Sequence, residues 1–287
     1  MLKSKLGRAV LRVILFLSVS YLGLLLFVFI TQRSFIYHPT TAPMEALAKI
    51  ADAKGFKPWQ TDTGEFMGWE YLGKSRRKHG RLLIVHGNAG SAIDRLAYAN
   101  ALTNAQPMDI YILEYPGFGA RKGSPSEQSF YQAASEAVDS LKAKGPLYIM
   151  AESLGTGVAA YLAGTYPDTI RGMLFIAPYN NLTDVARAQM PYFPVNWMLW
   201  DRFPSETYLA KYHGPVAMLF AGRDVVIPNR LGHKLYESYQ GPKQFWEIPE
   251  AGHDDLLIQP DAWWTELAAF WKTNLVRDNA LTPPETQ

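Results

Sequence analysis

The hydrophobic pattern of the 287-residue chain changes once, near residue 33. From Val13 to Ile30 the chain runs VILFLSVSYLGLLLFVFI without a charge. As a helix rising 1.5 Å per residue, that run is about 27 Å long, against roughly 30 Å for a bilayer's hydrocarbon core. Extending it back to Ala9 adds a turn and takes in Arg12, whose stem can snorkel toward the headgroups. The pattern predicts a transmembrane helix contacting lipid through residues 9–30. A secretory signal is the rival reading, but its apolar region is shorter and ends at a small-x-small cleavage site. Ser18-Val19-Ser20 fits that site loosely but lies inside the run, and nothing suitable follows Ile30. Lys3, Lys5, Arg8 and Arg12 precede the run, which predicts a single pass with the N-terminus cytoplasmic and the body across the membrane.

After the anchor the pattern becomes an alternation. Short apolar runs bounded by turn residues suit strands buried on both faces, and they recur at Arg81–Val85, Asp109–Leu113, Leu147–Met150, Gly172–Ile176, Val216–Phe220 and Gln244–Ile248. Thr61–Leu72, with Gly64 at its turn, reads as a hairpin. Helical stretches lie between: Ile93–Thr103, Glu127–Ala143, Leu154–Tyr166, Asn229–Tyr239 and Asp261–Asn274. The alternation predicts one α/β domain over residues 34–287, a mainly parallel central sheet with helices on both faces, after an anchor unit at 1–33. Residues 178–213 break the rhythm with four prolines and the aromatics Tyr192, Phe193, Trp197, Trp200 and Phe203. This segment reads either as a lid or short cap over a pocket, or as an ordinary irregular connection. The tail Asp278–Gln287 reads as frayed.

Composition narrows the chemistry. Hydrophobic residues are 48% and charged residues 19%, which excludes wholesale disorder. With no cysteine, a disulfide scaffold, a thiolate metal site and a cysteine nucleophile are all excluded. The net charge of +2 is unevenly spread: five basic residues and no acid lie within residues 1–33, leaving 23 basic against 26 acidic residues in the body. A mildly acidic body argues against nucleic acid as a partner.

The informative motif is Ala151-Glu152-Ser153-Leu154-Gly155. It joins a predicted strand to a predicted helix, the context of a nucleophile elbow, with Ala151 standing where the pattern has its first glycine. Alone, the pattern is weak, because a serine in a strand-to-helix turn is more often a helix N-cap. Two further residues change the balance: Asp224 follows the strand Val216–Phe220, and His253 follows Gln244–Ile248. Parallel strands gather their carboxyl ends on one edge, so Ser153, Asp224 and His253 are expected together, in the chain order this architecture uses. A serine hydroxyl needs a base to take its proton, imidazole serves near neutrality, and a carboxylate behind it fixes the tautomer. The oxyanion donors would be the backbone N–H of Leu154 and one from His86-Gly87-Asn88-Ala89-Gly90, with Asn88 preferred and Ala89 the register alternative. His86 is assigned to bracing this loop. The same loop lacks Gly-Lys-Ser/Thr, and no G-x-G-x-x-G opens a helix, so a nucleotide site is set aside. No metal or cofactor is implied.

With these residues in hand, the chain resembles the α/β-hydrolase superfamily, and within it the membrane-anchored Bem46-like group. The resemblance is carried by Gln32–Pro39, Gly68-Trp69, His86–Gly90, Glu114–Gly119 and Gly123–Glu127, then Ser153–Val158, Ala177–Val185, Gly222–Pro228 and Gly252-His253. It implies an α/β-hydrolase fold behind an anchor, with Ser153 as nucleophile, Asp224 as acid and His253 as base. Because eukaryotic relatives include depalmitoylating thioesterases, it adds acyl thioesters to carboxylic esters as substrates. The expected function is a membrane serine hydrolase acting on small-molecule or lipid-like acyl substrates, with Trp197, Trp200 and Phe203 as candidate interface contacts. The alternatives are a peptidase or amidase on the same three residues, or a non-catalytic membrane scaffold of hydrolase fold.

Overall fold

The computed structural model describes residues 2–72, 79–96, 107–257 and 259–281. Eight strands form the central sheet: β2 (Lys57–Gln60), β3 (Phe66–Tyr71), β4 (Arg81–Val85), β6 (Asp109–Leu113), β7 (Leu147–Glu152), β8 (Ile170–Ile176), β9 (Val216–Ala221) and β10 (Lys243–Ile248). Their order is β10-β9-β8-β7-β4-β6-β3-β2, and β3 alone runs antiparallel to both of its neighbours. Two-residue strands β1 (His38–Pro39) and β5 (Ala89–Gly90) pair separately and tie the end of the N-terminal helix to the loop after β4.

The apolar runs are continuous because each face of the sheet has its own core. Leu83, Val85, Ile149, Ala151, Met173 and Phe175 pack on one side, with the helices Glu127–Leu141 and Gly155–Thr165. Leu82, Ile84, Met150, Leu174, Leu219 and Ala221 pack on the other, with Trp264, Leu267 and Trp271 of the helix Asp261–Leu281. Successive side chains of a strand therefore both meet protein, which selects the unbroken Val/Ile/Leu pattern.

The N-terminal helix spans Leu2–Ile36, and its stretch Leu6–Ile36 is long and apolar enough to cross a membrane. Phe16, Leu17 and Leu22 stand fully away from the body, each about 60–70% exposed. The last turns touch the segment between β8 and β9, which folds as three short helices, Leu182–Gln189, Val195–Met198 and Ser205–Leu209.

Several expectations shift. The hairpin is present but begins earlier: its first strand is Lys57–Gln60, and Thr61–Glu65 is the turn, closed by the Thr61 N–H donating to Glu65 O at 2.9 Å. Sequence reading passed over Lys57–Gln60 because only Trp59 is buried there, as an edge strand allows. The helix expected at Ile93–Thr103 begins as a 3-10 turn, Ala92–Arg95, capped by Ser91 and Asp94; residues 97–103 lie outside the described residues. The expected frayed tail is helical as far as Leu281, and residues 282–287 lie outside the described ones. Phe203 is not an interface residue: it is fully buried, its ring tilted against Phe130 and edge-on to Tyr131.

Candidate active site

Ser153 sits one residue beyond β7, at the sharp turn into the helix Gly155–Thr165. Its φ is +50°, a left-handed conformation costly for any residue with a Cβ, and its N–H is held by Ile176 O at 2.8 Å. The small neighbours are required by close approach. A Cβ on Gly155 would stand 2.6 Å from the carbonyl oxygens of both Val85 and His86, and one on Gly157 would strike the Tyr179 hydroxyl. Ala151 is fully buried in the sheet, paired across to Val85 and Phe175, where its single methyl fits.

Asp224 and His253 arrive on two loops stitched together. Gly222 N donates to Ile248 O at 3.0 Å and Arg223 N to Ala251 O at 2.9 Å, and a Cβ at Gly222 would collide with Pro249. Asp224 Oδ1 accepts from Val226 N at 2.8 Å and Ile227 N at 2.7 Å, which leaves Oδ2 for the imidazole. His253 Nδ1 lies 2.6 Å from that oxygen, and His253 Nε2 lies 2.9 Å from Ser153 Oγ. The structure thus brings the three expected residues into one hydrogen-bonded row. Burial alone would lower the His253 pKa, but the hydrogen bond and charge of Asp224, with Asp254 and Glu152 adding, raise it above the ordinary 6.5.

Glu152, beside the serine, is ion-paired with Arg95 and only 13% exposed, and its charge adds to the raising of the His253 pKa. His86 is wholly buried, with Nδ1 on Gly87 O at 2.9 Å and Nε2 3.4 Å from Glu114 Oε1, its ring against Tyr115 and Phe118. It braces the loop, as expected. Asn88 and Leu154 line the same groove as Ser153, and Asn88 Nδ2 anchors the loop to Ile36 O at 2.7 Å. Among the described residues, no group of three or more His, Asp or Glu is arranged to hold a metal ion.

The groove has a volume of about 350 Å³ and is walled chiefly by apolar side chains. Sequence reading missed part of that wall: Val28, Gln32, Phe35 and Ile36 of the N-terminal helix. Their spacing, four, three and one, places them on one helical face. The signal was Gln32, a polar residue just past the apolar run. It is 5% exposed and clamped by Met198 O at 3.1 Å and Trp200 N at 2.8 Å.

The family model described as alpha/beta hydrolase fold matches residues 80–207, which contain Ser153 but neither Asp224 nor His253. An uncharacterized protein of Mycobacterium tuberculosis is 28% identical over 239 residues, 81% of this chain and 84% of its own. The lysophosphatidylserine lipase ABHD12 of Danio rerio is 29% identical over 202 residues, 62% of this chain; the matched stretch is about half of that relative's length, 52%. Among solved structures, an esterase of Pyrococcus furiosus superposes with a TM-score of 0.61 at 14% identity, over 83% of this chain and 97% of its own. A monoacylglycerol lipase of Paleococcus ferrophilus superposes at 0.51 and 17%, over 69% and 95%. Strand order, elbow and these likenesses agree on one architecture: the chain has the α/β-hydrolase fold.

Proposed function

We propose that the protein is a membrane-anchored serine hydrolase that cleaves carboxylic esters of lipid-like acyl substrates, with thioesters as the alternative leaving-group class. One observation carries this reading: the row Ser153–His253–Asp224 opens on an apolar groove. Ser153 Oγ attacks the ester carbonyl as His253 Nε2 takes its proton. The oxyanion is held by the backbone N–H of Leu154, at the start of the helix Gly155–Thr165, and that of Asn88, in the loop after β4. His253 returns the proton to the departing alcohol or thiol, leaving an acyl-enzyme. Water, deprotonated by His253, then attacks that carbonyl; the acid leaves and Ser153 recovers its proton. Asp224 holds the tautomer in which Nε2 is free to accept.

The lipase names among the relatives support an ester leaving group, and the apolar walls support an acyl chain over a peptide. The helix Leu6–Ile36 would be the anchor, with four basic residues before its uncharged run placing the N-terminus in the cytoplasm and the domain over 34–287 across the membrane. In this arrangement the 178–213 segment is a cap over the groove.

Labelling of the detergent-solubilised protein with a fluorophosphonate probe tests the reading. Labelling that vanishes in Ser153→Ala and after heat denaturation is expected. A folded wild-type protein that takes no label, or a Ser153→Ala variant that still does, would overturn it.

A further inference from the structure

The N-terminal helix does more than approach the site. Of its last turns, Leu25, Val28, Phe29, Gln32 and Ile36, with Thr31 beside them, are the residues turned toward the body, a stripe with helical spacing. Ile36 is the end nearer the serine, because its carbonyl holds Asn88 in the loop beside Ser153. Val28 is the far end, eight residues or about 12 Å up the helix. Met198, Leu199, Val185 and Phe193 close the groove from the cap.

The depth of the cap along the helix is fixed by a contact. Tyr21 Oη donates to Tyr192 O at 2.7 Å. Tyr21 lies nine residues before Ile30, the end of the uncharged run, so the cap extends beside roughly 13 Å of the segment that spans the hydrocarbon. There it displays Tyr192, 85% exposed; Trp197, 88% exposed, follows next to Met198, whose carbonyl meets Gln32 just past the uncharged run, and Val225 and Val226 are exposed at the groove's rim. Exposed aromatic and aliphatic side chains from the Tyr21 level down to the rim fit a surface sunk in the headgroup and acyl boundary rather than one facing water.

We propose that the membrane helix is itself one wall of the acyl-binding groove, and that a bilayer lipid's chain passes from the leaflet into the groove along Phe35, Gln32 and Val28. Val28 then sets the chain length that fits. This rests on the reading of Ser153 as nucleophile. The anchor would thus select substrate as well as hold the enzyme at the membrane.

The test uses the full chain in detergent micelles and a p-nitrophenyl ester series from butyrate to palmitate, reading the palmitate-to-butyrate ratio of kcat/KM. A ratio cancels any loss of folded enzyme. Val28→Trp is expected to lower it by about tenfold or more, since a filled apolar subsite discriminates chains on that scale. Val28→Phe is expected to lower it less. Ile30→Trp makes a similar change at a residue that is 63% exposed and is not among those lining the groove, and is expected to leave the ratio within about twofold. Equal ratios in Val28→Trp, Val28→Phe and wild type would overturn the wall; so would an equal fall in Ile30→Trp. Hydrolysis that survives Ser153→Ala would overturn the nucleophile reading instead.

Discussion

Arg33 and Asp201 form a two-bond ion pair, Nε to Oδ2 at 2.9 Å and Nη2 to Oδ1 at 3.1 Å, that joins the last turn of the N-terminal helix to the segment between β8 and β9. Asp201 is 4% exposed and also accepts from the Tyr37 hydroxyl at 2.9 Å and from Glu127 N at 3.2 Å. Trp200 adds to the same junction, with the Phe29 ring edge-on to it and the Arg33 guanidinium over its face. Since Arg33 is 44% exposed, its Coulombic share is screened; the larger effect of losing Asp201 is the stranding of the buried Tyr37 hydroxyl.

Asp201→Ala is therefore expected to destabilise the junction by about 1–3 kcal/mol, seen as a lower melting temperature in detergent and faster proteolysis between residues 178 and 213. A double-mutant cycle of Arg33→Ala with Asp201→Ala separates direct coupling from general loosening. Coupling indistinguishable from zero would mean that the pair does not fasten the segment between β8 and β9 to the helix.

Asp224→Asn is expected to cost about 10⁴-fold in the fluorophosphonate labelling rate while the fold survives. Asn has one acceptor oxygen, and the Val226 and Ile227 N–H groups already claim that position. Its amide nitrogen would then face His253 Nδ1, forcing the tautomer that carries a proton on Nε2, unable to accept from Ser153. A labelling rate within tenfold of wild type would show that Asp224 does not orient the imidazole.

The raised pKa of His253 sets the pH dependence. The base must be neutral, so labelling is expected to fall with decreasing pH along a limb lying above the 6.5 of an ordinary imidazole. The stability sign is opposite. A folded-state pKa above the unfolded one contributes stability that is fully present below about 6.5 and fades as pH rises through the folded value. The site is thus most reactive where its charged pair stabilises least. Labelling rates measured across the pH range check the limb, and a limb below 6.5 would contradict the geometry.

Strand periodicity exposed the sheet because every central strand is buried on both faces, which leaves little choice but unbroken apolar runs. Ser153, Asp224 and His253 were legible for the same reason: strand ends are easily found, and parallel strands bring theirs together. Lys57–Gln60 was not, since an edge strand shows only Trp59 to the core. Phe203 misled because exposure cannot be read from an aromatic amid prolines; it takes a φ of +40° and fills the space beside Phe130 and Tyr131. The contribution of Val28, Gln32, Phe35 and Ile36 to the groove was hidden by hydrophobicity itself. Apolar residues that face lipid and apolar residues that line a groove look alike, and only the buried Gln32 distinguishes the two faces.

Gly155 offers the sharpest test of the elbow. Its missing Cβ would stand 2.6 Å from two backbone carbonyl oxygens, and backbone at the end of β4 cannot swing aside as a side chain can. Gly155→Ala must therefore push the helix start away from the loop that follows β4, moving Leu154 N–H relative to Asn88, the two groups assigned to the oxyanion. The cost in stability is expected at about 1–3 kcal/mol, as for other overpacked sites. Labelling should fall by about 10²-fold or more, since a donor displaced from the oxyanion is close to a donor lost. Comparison with Gly157→Ala separates the two effects: its Cβ meets the Tyr179 hydroxyl and Phe203, away from the carbonyls beside the serine, so destabilisation is expected with a smaller loss of labelling per unit of stability lost. Equal losses of labelling at equal stability would mean that the elbow's close approach serves packing alone.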